Sequence, residues 1–551
     1  MYEYTAELSA QPRTGRKVGE RNMYEYTEEQ LASLKKVEAT RKERLNAVYP
    51  LMSEVERLEI LKNHPDNAEA GFKTLKVGVN KGDRIPRELA DILCGKPRFT
   101  EYDIDLNAPE IDTDVLIIGG GGAGVAAAIE AEKVGVKVTV VTKFRVGDSN
   151  TIMAEGGMQA ATRENDSPAI HLLDSYGGSG YTADVGLLKK LTLNAPEALR
   201  WLDSLGVNFD KAENGDMITT SGGGVCRERL HACKDFTGLE IMRTLRDEAL
   251  SRDINFVENA SAIEIVKDEN GNADGAIIYD TEKKRAFFAK SKTVIIATGG
   301  AGRLHYNGFP TSNHFGSTAD GLAIAYRAGA RLINADSEQY HPTGVALPES
   351  IRGSLVTEKC RALGASLVDK NGELFVNSLE KRDVTTSAII NLCKNLGRGV
   401  RTENGFGVWL DMPMIDMING YGTIEKRLPS TLKNFLNYGI DVRKEPILVY
   451  PTLHYQNGGI KINENCETTV ENLYAAGEAA GGIHGKNRLM GNSLLETIVF
   501  GREAGRRAAE KSKTVKTGRP TLSHVENYVE ELKNAGAESG ELSPALLPRK
   551  L

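Results

Sequence analysis

The stretch that most constrains this chain is Thr113 to Ala128, TDVLIIGGGGAGVAAA, where an apolar run from Val115 to Ile118 breaks on glycines and resumes as an alanine-rich segment. That order reads as buried strand, tight turn and helix. Gly119, Gly121 and Gly124 satisfy G-x-G-x-x-G, and with Gly122 and Ala123 between them they leave the backbone bare enough for a pyrophosphate to sit at the positive end of the helix. A glycine-rich turn of any α/β sheet shares this spacing; a second strand expected at Val136 to Val141 is what turns the reading toward dinucleotide binding. At the end of that second strand, where a nicotinamide-binding chain carries an acidic residue for the ribose, stand Thr142 and Lys143. The exchange weakens a nicotinamide reading more than a flavin one.

From Ile111 onward strands and helices alternate, which predicts a largely parallel sheet. Two further segments, Thr293 to Gly302 (TVIIATGGAG) and Asn472 to Gly482 (NLYAAGEAAGG), each drive a short buried strand into small residues, as happens where backbone lines a flat cofactor. A simple nicotinamide domain needs only the first such element, whereas three of them point to FAD, whose length requires distant segments to close over the flavin end. The stretch from 336 to 445 is poor in such strands and is expected to be an inserted capping domain. The resulting fold class is α/β: a Rossmann-like FAD-binding domain in two parts (111–335 and 446–515), an α+β cap (336–445), a helical N-terminal extension (1–110) and a C-terminal tail (516–551).

In the extension, Thr27-x-x-Gln30 predicts the cap of a helix running to Pro50, with Leu31, Leu34, Leu45 and Val48 on its apolar side. Ser53-x-x-Glu56 predicts a second helix carrying Val55, Leu58 and Leu61, and a third is expected over Leu89 to Cys94. MYEYT occurs at both Met1 and Met23, without any longer repeat around it. The extension carries no visible chemistry; packing on the main body and docking of a partner are equally compatible with it.

A chain of 551 residues is long enough for a large nucleotide-binding domain with a second domain inserted or appended. Its net charge of -6, with signs interspersed, gives no footprint for nucleic acid. Six cysteines without framework spacing, and no C-x-x-C, suit a reducing compartment and give no local site for an iron–sulfur cluster or a c-type haem. No apolar run approaches the roughly 20 residues that span a bilayer. A cytoplasmic protein, attached to a membrane only through partner subunits, is therefore expected.

Five polar clusters lie downstream of the fingerprint: Gln339–Gly344 (QYHPTG), Thr357–Arg361 (TEKCR), Lys381–Asp383 (KRD), His454–Ile460 (HYQNGGI) and His484–Ser493 (HGKNRLMGNS). Singly, each histidine or arginine reads as structural. Together they place cations and imidazoles on both sides of a domain interface, a setting for a dicarboxylate. With these motifs the chain from about Thr113 to Glu510 resembles the flavoprotein subunits of the fumarate reductase and succinate dehydrogenase family and their relative L-aspartate oxidase. The resemblance implies that His341, Thr357, His454 and Arg488 bind the substrate carboxylates, that Arg382 is the acid or base, and that Glu358 and Arg361 relay protons to it. For FAD it implies Gly119, Gly121, Gly122, Ala123 and Gly124, then Thr142, Lys143, Ser149, Asn150, Thr151, Glu155, Gly156 and Gly157, and further along Asp320, Glu478, Ser493 and Leu494. It also implies fumarate or succinate as substrate and, as electron partner, a separate iron–sulfur subunit.

Three departures from the family pattern stand out. Asn150 occupies the position of the histidine that bonds covalently to FAD in membrane-bound members, so the cofactor is expected to be held non-covalently. Leu363 replaces the acidic residue of R-G-E-G-G after the relay arginine, and the helical domain that usually follows the flavin-binding part is missing, since only about forty residues remain after Ala509. Fumarate reduction is the leading expectation, with L-aspartate oxidase or reduction of another 2-enoate as alternatives. A flavin disulfide reductase is disfavoured by the absence of paired cysteines after the fingerprint, and a non-catalytic electron-transfer module by the carboxylate-binding His and Arg set.

Overall fold

The computed structural model describes residues 25–47 and 49–548. The copy of MYEYT at Met1 and the expected apolar contact of Val48 lie outside them. The main sheet follows from the apolar runs. Strand Ile111–Ile118 is flanked in parallel by Val138–Val141 on one side and Arg285–Ile296 on the other, and Leu473–Ala475 also runs parallel to Arg285–Ile296. Ala260–Asp268 and Ala273–Asp280 extend the sheet beyond Arg285–Ile296 as an antiparallel meander. The sheet is thus more mixed than strand–helix alternation alone predicts, because these two strands follow one another with a four-residue turn and no crossover helix. Register places Ile118, Ile296 and Ala475 side by side, so the three glycine-bearing loops leave the same carboxyl edge, where open α/β sheets bind ligands.

Helix α4 (Gly122–Glu132) packs beneath the long helix Asn492–Ser512 through small residues. A Cβ on Gly501 or Gly505 would lie 2.6 Å from Ala123 O and 2.1 Å from Ala127 O, respectively. Only glycine allows this approach. It brings the N-termini of both helices to the same side of the sheet.

A second, antiparallel sheet forms the cap, in the order Glu338–Val345, Ile447–Gln456, Gly405–Asp411, Ser366–Val368. One of its strands, Ile447–Gln456, follows the 336–445 stretch in sequence. A separate hydrophobic cluster, including Val345, Leu367, Ile389, Leu410 and Val449, fills the space between this sheet and its helices. Helix Arg382–Lys394 lies against the strand Glu338–Val345, and both point their functional residues at the main sheet.

The N-terminal extension wraps both bodies. Both expected capping boxes form, at Thr27 with Gln30 and at Ser53 with Glu56. Helix α1 (Glu28–Arg44) ends six residues before Pro50, and its buried side is Gln30, Ser33, Val37 and Arg44, while Leu31 is exposed. The reason is its partner: the cap offers polar groups, with Trp409 donating to Ser33, Arg41 pairing with Asp411, and Arg44 with Asp411 and Gly372 O. Helix α2 (Glu54–Leu61) buries no residue, and Val55 and Leu58, expected on a core face, are exposed. The chain then crosses to the main body. Asn80 exchanges two hydrogen bonds with Leu332, and α3 (Arg87–Leu93) leads into Lys96–Pro97, which pairs with Leu542–Ser543 of the tail. Among the described residues no helix is long and apolar enough to cross a membrane.

Candidate active site

A cavity with about 1570 Å³ of empty space, its mouth included, runs from the carboxyl edge of the main sheet to the cap. Of the expected cofactor positions, only Gly124 is not in its wall. Gly124 lies behind it, where a Cβ would stand 1.9 Å from Gly119 O, so its absence of side chain seats the helix on the turn. Gly119 adopts a φ of 121°, closed to other residues.

The donor set fits a long anionic dinucleotide. Helix α4 follows Gly121 and the helix Asn492–Ser512 follows Gly491; neither N-cap residue has a capping side chain, Gly122 N donates to Thr151 Oγ1 at 3.2 Å, and residues of both first turns line the cavity. Two positive helix ends therefore open into one space. Lys143 bonds Asp320 at 2.7 Å and Thr318 at 2.8 Å, so the cation at the end of the second strand is neutralised by the aspartate it holds in place. Asn150 donates to Glu478, Asn313 and Ser317 at 2.9, 2.8 and 3.1 Å, tying the segment after the fingerprint to two other walls. Burial, with Asp235 adding repulsion, raises the Glu155 carboxyl well above its ordinary range.

The other end of the cavity is lined by His341, Thr357, Glu358, Arg382, His454 and Arg488; Arg361 stands just behind them. These come from five segments, with Thr357, Glu358 and Arg361 at the start of the short helix Lys359–Ala362. His341 sits on the strand Glu338–Val345 and His454 on its neighbour Ile447–Gln456, with ring centroids 5.1 Å apart. Arg382 is the first residue of its helix. Arg488 lies in the loop before Asn492–Ser512, over the ring of Tyr455 at 4.3 Å.

Their bonds form one network. Arg382 donates from Nε to Glu358 at 2.7 Å and from Nη1 to Gln339 Oε1 at 2.8 Å. Arg488 Nη2 reaches the same Gln339 oxygen at 2.8 Å. Arg361 Nη2 lies 3.1 Å from Glu358, whose other oxygen accepts from Gly223 N at 2.8 Å. Burial works to raise the Glu358 carboxyl, but the guanidiniums of Arg382 and Arg361 outweigh it and hold it down at about 2. Burial and then repulsion from Arg382 lower Arg488 to about 10, which leaves it charged at neutral pH. His341 and His454 are pushed well below the ordinary histidine range, first by burial and then by the surrounding cations. Both imidazoles are therefore neutral. Nδ1 of His341 is engaged by Thr343 and that of His454 by Ser312, leaving Nε2 of each for the cavity.

Within this cluster three guanidiniums face one carboxylate, an excess of two positive charges among buried side chains. Gln339, whose oxygen bridges Arg382 and Arg488, and Tyr455, beneath Arg488, fall inside the QYHPTG and HYQNGGI clusters but were given no role there. The signal for Gln339 was its place two residues before His341 on a strand, where a period of two favours a shared face.

Known proteins resemble this chain over most of its length. A family model described as FAD binding domain matches residues 114–494. A component of the fumarate reductase (CoM/CoB) of Methanothermobacter marburgensis is 39% identical over 76% of each chain. L-aspartate oxidase of Streptomyces coelicolor is 35% identical over 73% of this chain and 70% of its own. The solved structure of a mutant E. coli quinol fumarate reductase superposes with a TM-score of 0.70 at 30% identity, covering 78% of this chain and 74% of that one. The chain belongs to the family of FAD-dependent oxidoreductases that contains the flavoprotein subunits of fumarate reductase and succinate dehydrogenase and L-aspartate oxidase, and its cofactor is FAD.

Proposed function

We propose that this protein reduces fumarate to succinate, taking electrons from a separate iron–sulfur protein, and that it works in the cytoplasm or on a membrane surface through partner subunits. The observation that carries the reading is the excess of two positive charges in the cluster of Arg361, Arg382, Arg488 and Glu358, which matches a dianion. Neutral imidazole donors from His341 and His454, and the hydroxyl of Thr357, complete a clamp whose charge-assisted bonds contribute about 1.5–3 kcal/mol each.

FAD supplies the hydride. The residues of this chain hold the two carboxylates so that the alkene is fixed in position and its far carboxylate polarised, which favours charge developing there. A proton must reach the second alkene carbon. Arg382 at the cavity wall delivers it, and Glu358, ionised at rest, hydrogen-bonded to Arg382 and ion-paired with Arg361 at 3.1 Å, returns the proton to Arg382 from the Arg361 side.

The relatives that are L-aspartate oxidases keep a second reading in view: oxidation of L-aspartate at the same site. The bonding argues for fumarate. The ammonium of aspartate needs an acceptor, and the carboxylate of the cluster, Glu358, is already shared by two guanidiniums and Gly223 N, while Gln339 Oε1 is taken by Arg382 and Arg488. Purified, FAD-loaded protein supplied with a reduced dye tests the proposal: fumarate should oxidise the dye and yield succinate. Absence of fumarate-dependent dye oxidation, with L-aspartate oxidised instead, would replace the first reading with the second.

A further inference from the structure

The helix that carries Arg382 has no capping side chain at its N-cap residue, Lys381, and within its first turn Asp383 accepts from Val384 N at 2.9 Å. What fixes the start is the preceding loop, 377–381, held from two sides. On the inner side Arg361 of the relay donates to Ser378 O, and the Ser378 hydroxyl accepts from Leu367 N at 3.3 Å. On the outer side the N-terminal extension clasps the same loop. Asn377 donates to Tyr49 O at 2.8 Å, and Met52 N donates to Glu380 at 3.1 Å. Arg57 of α2 forks onto the Glu380 carboxylate, with Nε at 3.2 Å and Nη2 at 3.0 Å from the same oxygen. That oxygen also accepts from Lys381 N at 3.1 Å, one residue before Arg382. Glu380 is 2% exposed.

We infer that the N-terminal extension is a support for the reaction site, and that Arg57 and Glu380 are positioning residues for Arg382. A buried carboxylate that takes two backbone N–H groups and one guanidinium fixes the path of the chain where it enters the helix. Arg57 alone among these supplies the countercharge from outside the cap. Without it Glu380 is left buried and partly unpaired, a state a loop escapes by turning the carboxylate toward water. Lys381 N moves with it, and Arg382 loses its alignment with Glu358 and Gln339. The clamp residues His341, His454 and Arg488 sit on other elements and stay in place. The consequence is a defect in proton delivery with the substrate still bound. α2 has no fully buried residue and exposes Val55 and Leu58; Met52 and Ile60 pack half-buried against the cap core, and the bonds to 377–381 come from Tyr49, Met52 and Arg57.

This positioning depends on the proposed role of Arg382, and the test separates the two. Wild type, Arg57→Ala, Arg57→Lys and Glu380→Gln are compared as FAD-loaded proteins in steady-state fumarate reduction and in hydrogen–deuterium exchange of the 377–385 segment. Lys62→Ala, in an exposed ion pair with Glu59 on the same extension, is the control. Arg57→Ala should lower kcat by roughly ten- to a hundredfold, keep KM within about twofold, and speed exchange in 377–385. Glu380→Gln should act the same way, Arg57→Lys should restore part of both readouts, and Lys62→Ala should change neither. An Arg57→Ala protein with wild-type kcat and wild-type exchange overturns the inference. So does a loss of kcat that follows FAD content while exchange in 377–385 is unchanged, or no rescue by lysine. If the wild type itself fails to reduce fumarate, the functional reading falls and the exchange of 377–385 alone decides the positioning claim.

Discussion

Gln339 places one carbonyl oxygen 2.8 Å from two guanidinium nitrogens, and what it does follows from charge. Arg382 and Arg488 repel each other, and a shared neutral acceptor holds both at the cavity without neutralising the excess that an anionic substrate needs. Gln339→Ala removes two charge-assisted hydrogen bonds at once, each worth about 1.5–3 kcal/mol. It should therefore both raise KM for fumarate and lower kcat, with kcat/KM down by at least about tenfold, as steady-state rates would reveal; unchanged constants would show that the arginines hold themselves. Arg382→Ala should abolish turnover while dicarboxylate binding, followed by the flavin absorbance, persists, because an acid acts mainly in the transition state. Arg488→Ala should weaken binding and rate together; equal loss of binding in both variants would count against separate roles. Asn150 is committed to Glu478, Asn313 and Ser317 and has no nucleophilic nitrogen to offer, so acid precipitation should release the flavin; fluorescence retained by the denatured chain would contradict this. The expected site residues that line the cavity were nameable because their motifs are local strings of His, Arg and Gly. Gln339 and Tyr455 were not, because an amide acceptor or a ring under a guanidinium has no signature of its own until the fold brings its partners from positions 382 and 488.

Helix starts were legible at the scale of elements, and helix faces were not. A capping box is closed by bonds between residues three apart, so Thr27 with Gln30 and Ser53 with Glu56 needed nothing from the rest of the molecule. The face a helix buries depends on what lies opposite, and opposite α1 lie Trp409, Asp411 and backbone carbonyls, which select Ser33, Arg44 and Gln30 over Leu31. Where the extension crosses from cap to main body, Asp66 accepts from Glu338 N at 3.1 Å. Burial, with Asp336 adding to it against this bond and the cations Arg84 and Lys486, pushes its carboxyl up to about 8. The unfolded chain ionises this group near its ordinary value of about 3.9. Between these two values the folded state binds the extra proton, so stability falls as the pH rises through the window. Melting temperature should decline from about pH 4 toward pH 8 more steeply for the wild type than for Asp66→Asn, with the two curves converging at the acid end. Parallel curves would mean that Asp66 stays ionised in the folded protein.

Across the whole molecule, the three glycine loops could be assigned to one cofactor because buried strands that end in small residues must share an edge, and register does bring Ile118, Ile296 and Ala475 together. The wrapping of the extension and tail was not legible, since it depends on pairings such as Lys96 with Leu542 that no local pattern encodes. The assembled molecule has a helix N-terminus at each of two points along the cofactor cavity and, at its far end, a cluster of three guanidiniums against one carboxylate. It lacks the covalent histidine that would draw electrons from the flavin. The excess positive charge favours a dianionic alkene over an amino acid, whose ammonium it repels, and the missing histidine favours giving a hydride over taking one. The most direct test measures, on one preparation of the FAD-loaded protein, initial rates of fumarate reduction with a reduced viologen and of succinate and L-aspartate oxidation with an acceptor dye. Fumarate reduction is predicted to be the fastest of the three, and L-aspartate oxidation at a rate equal to or above it would contradict the account.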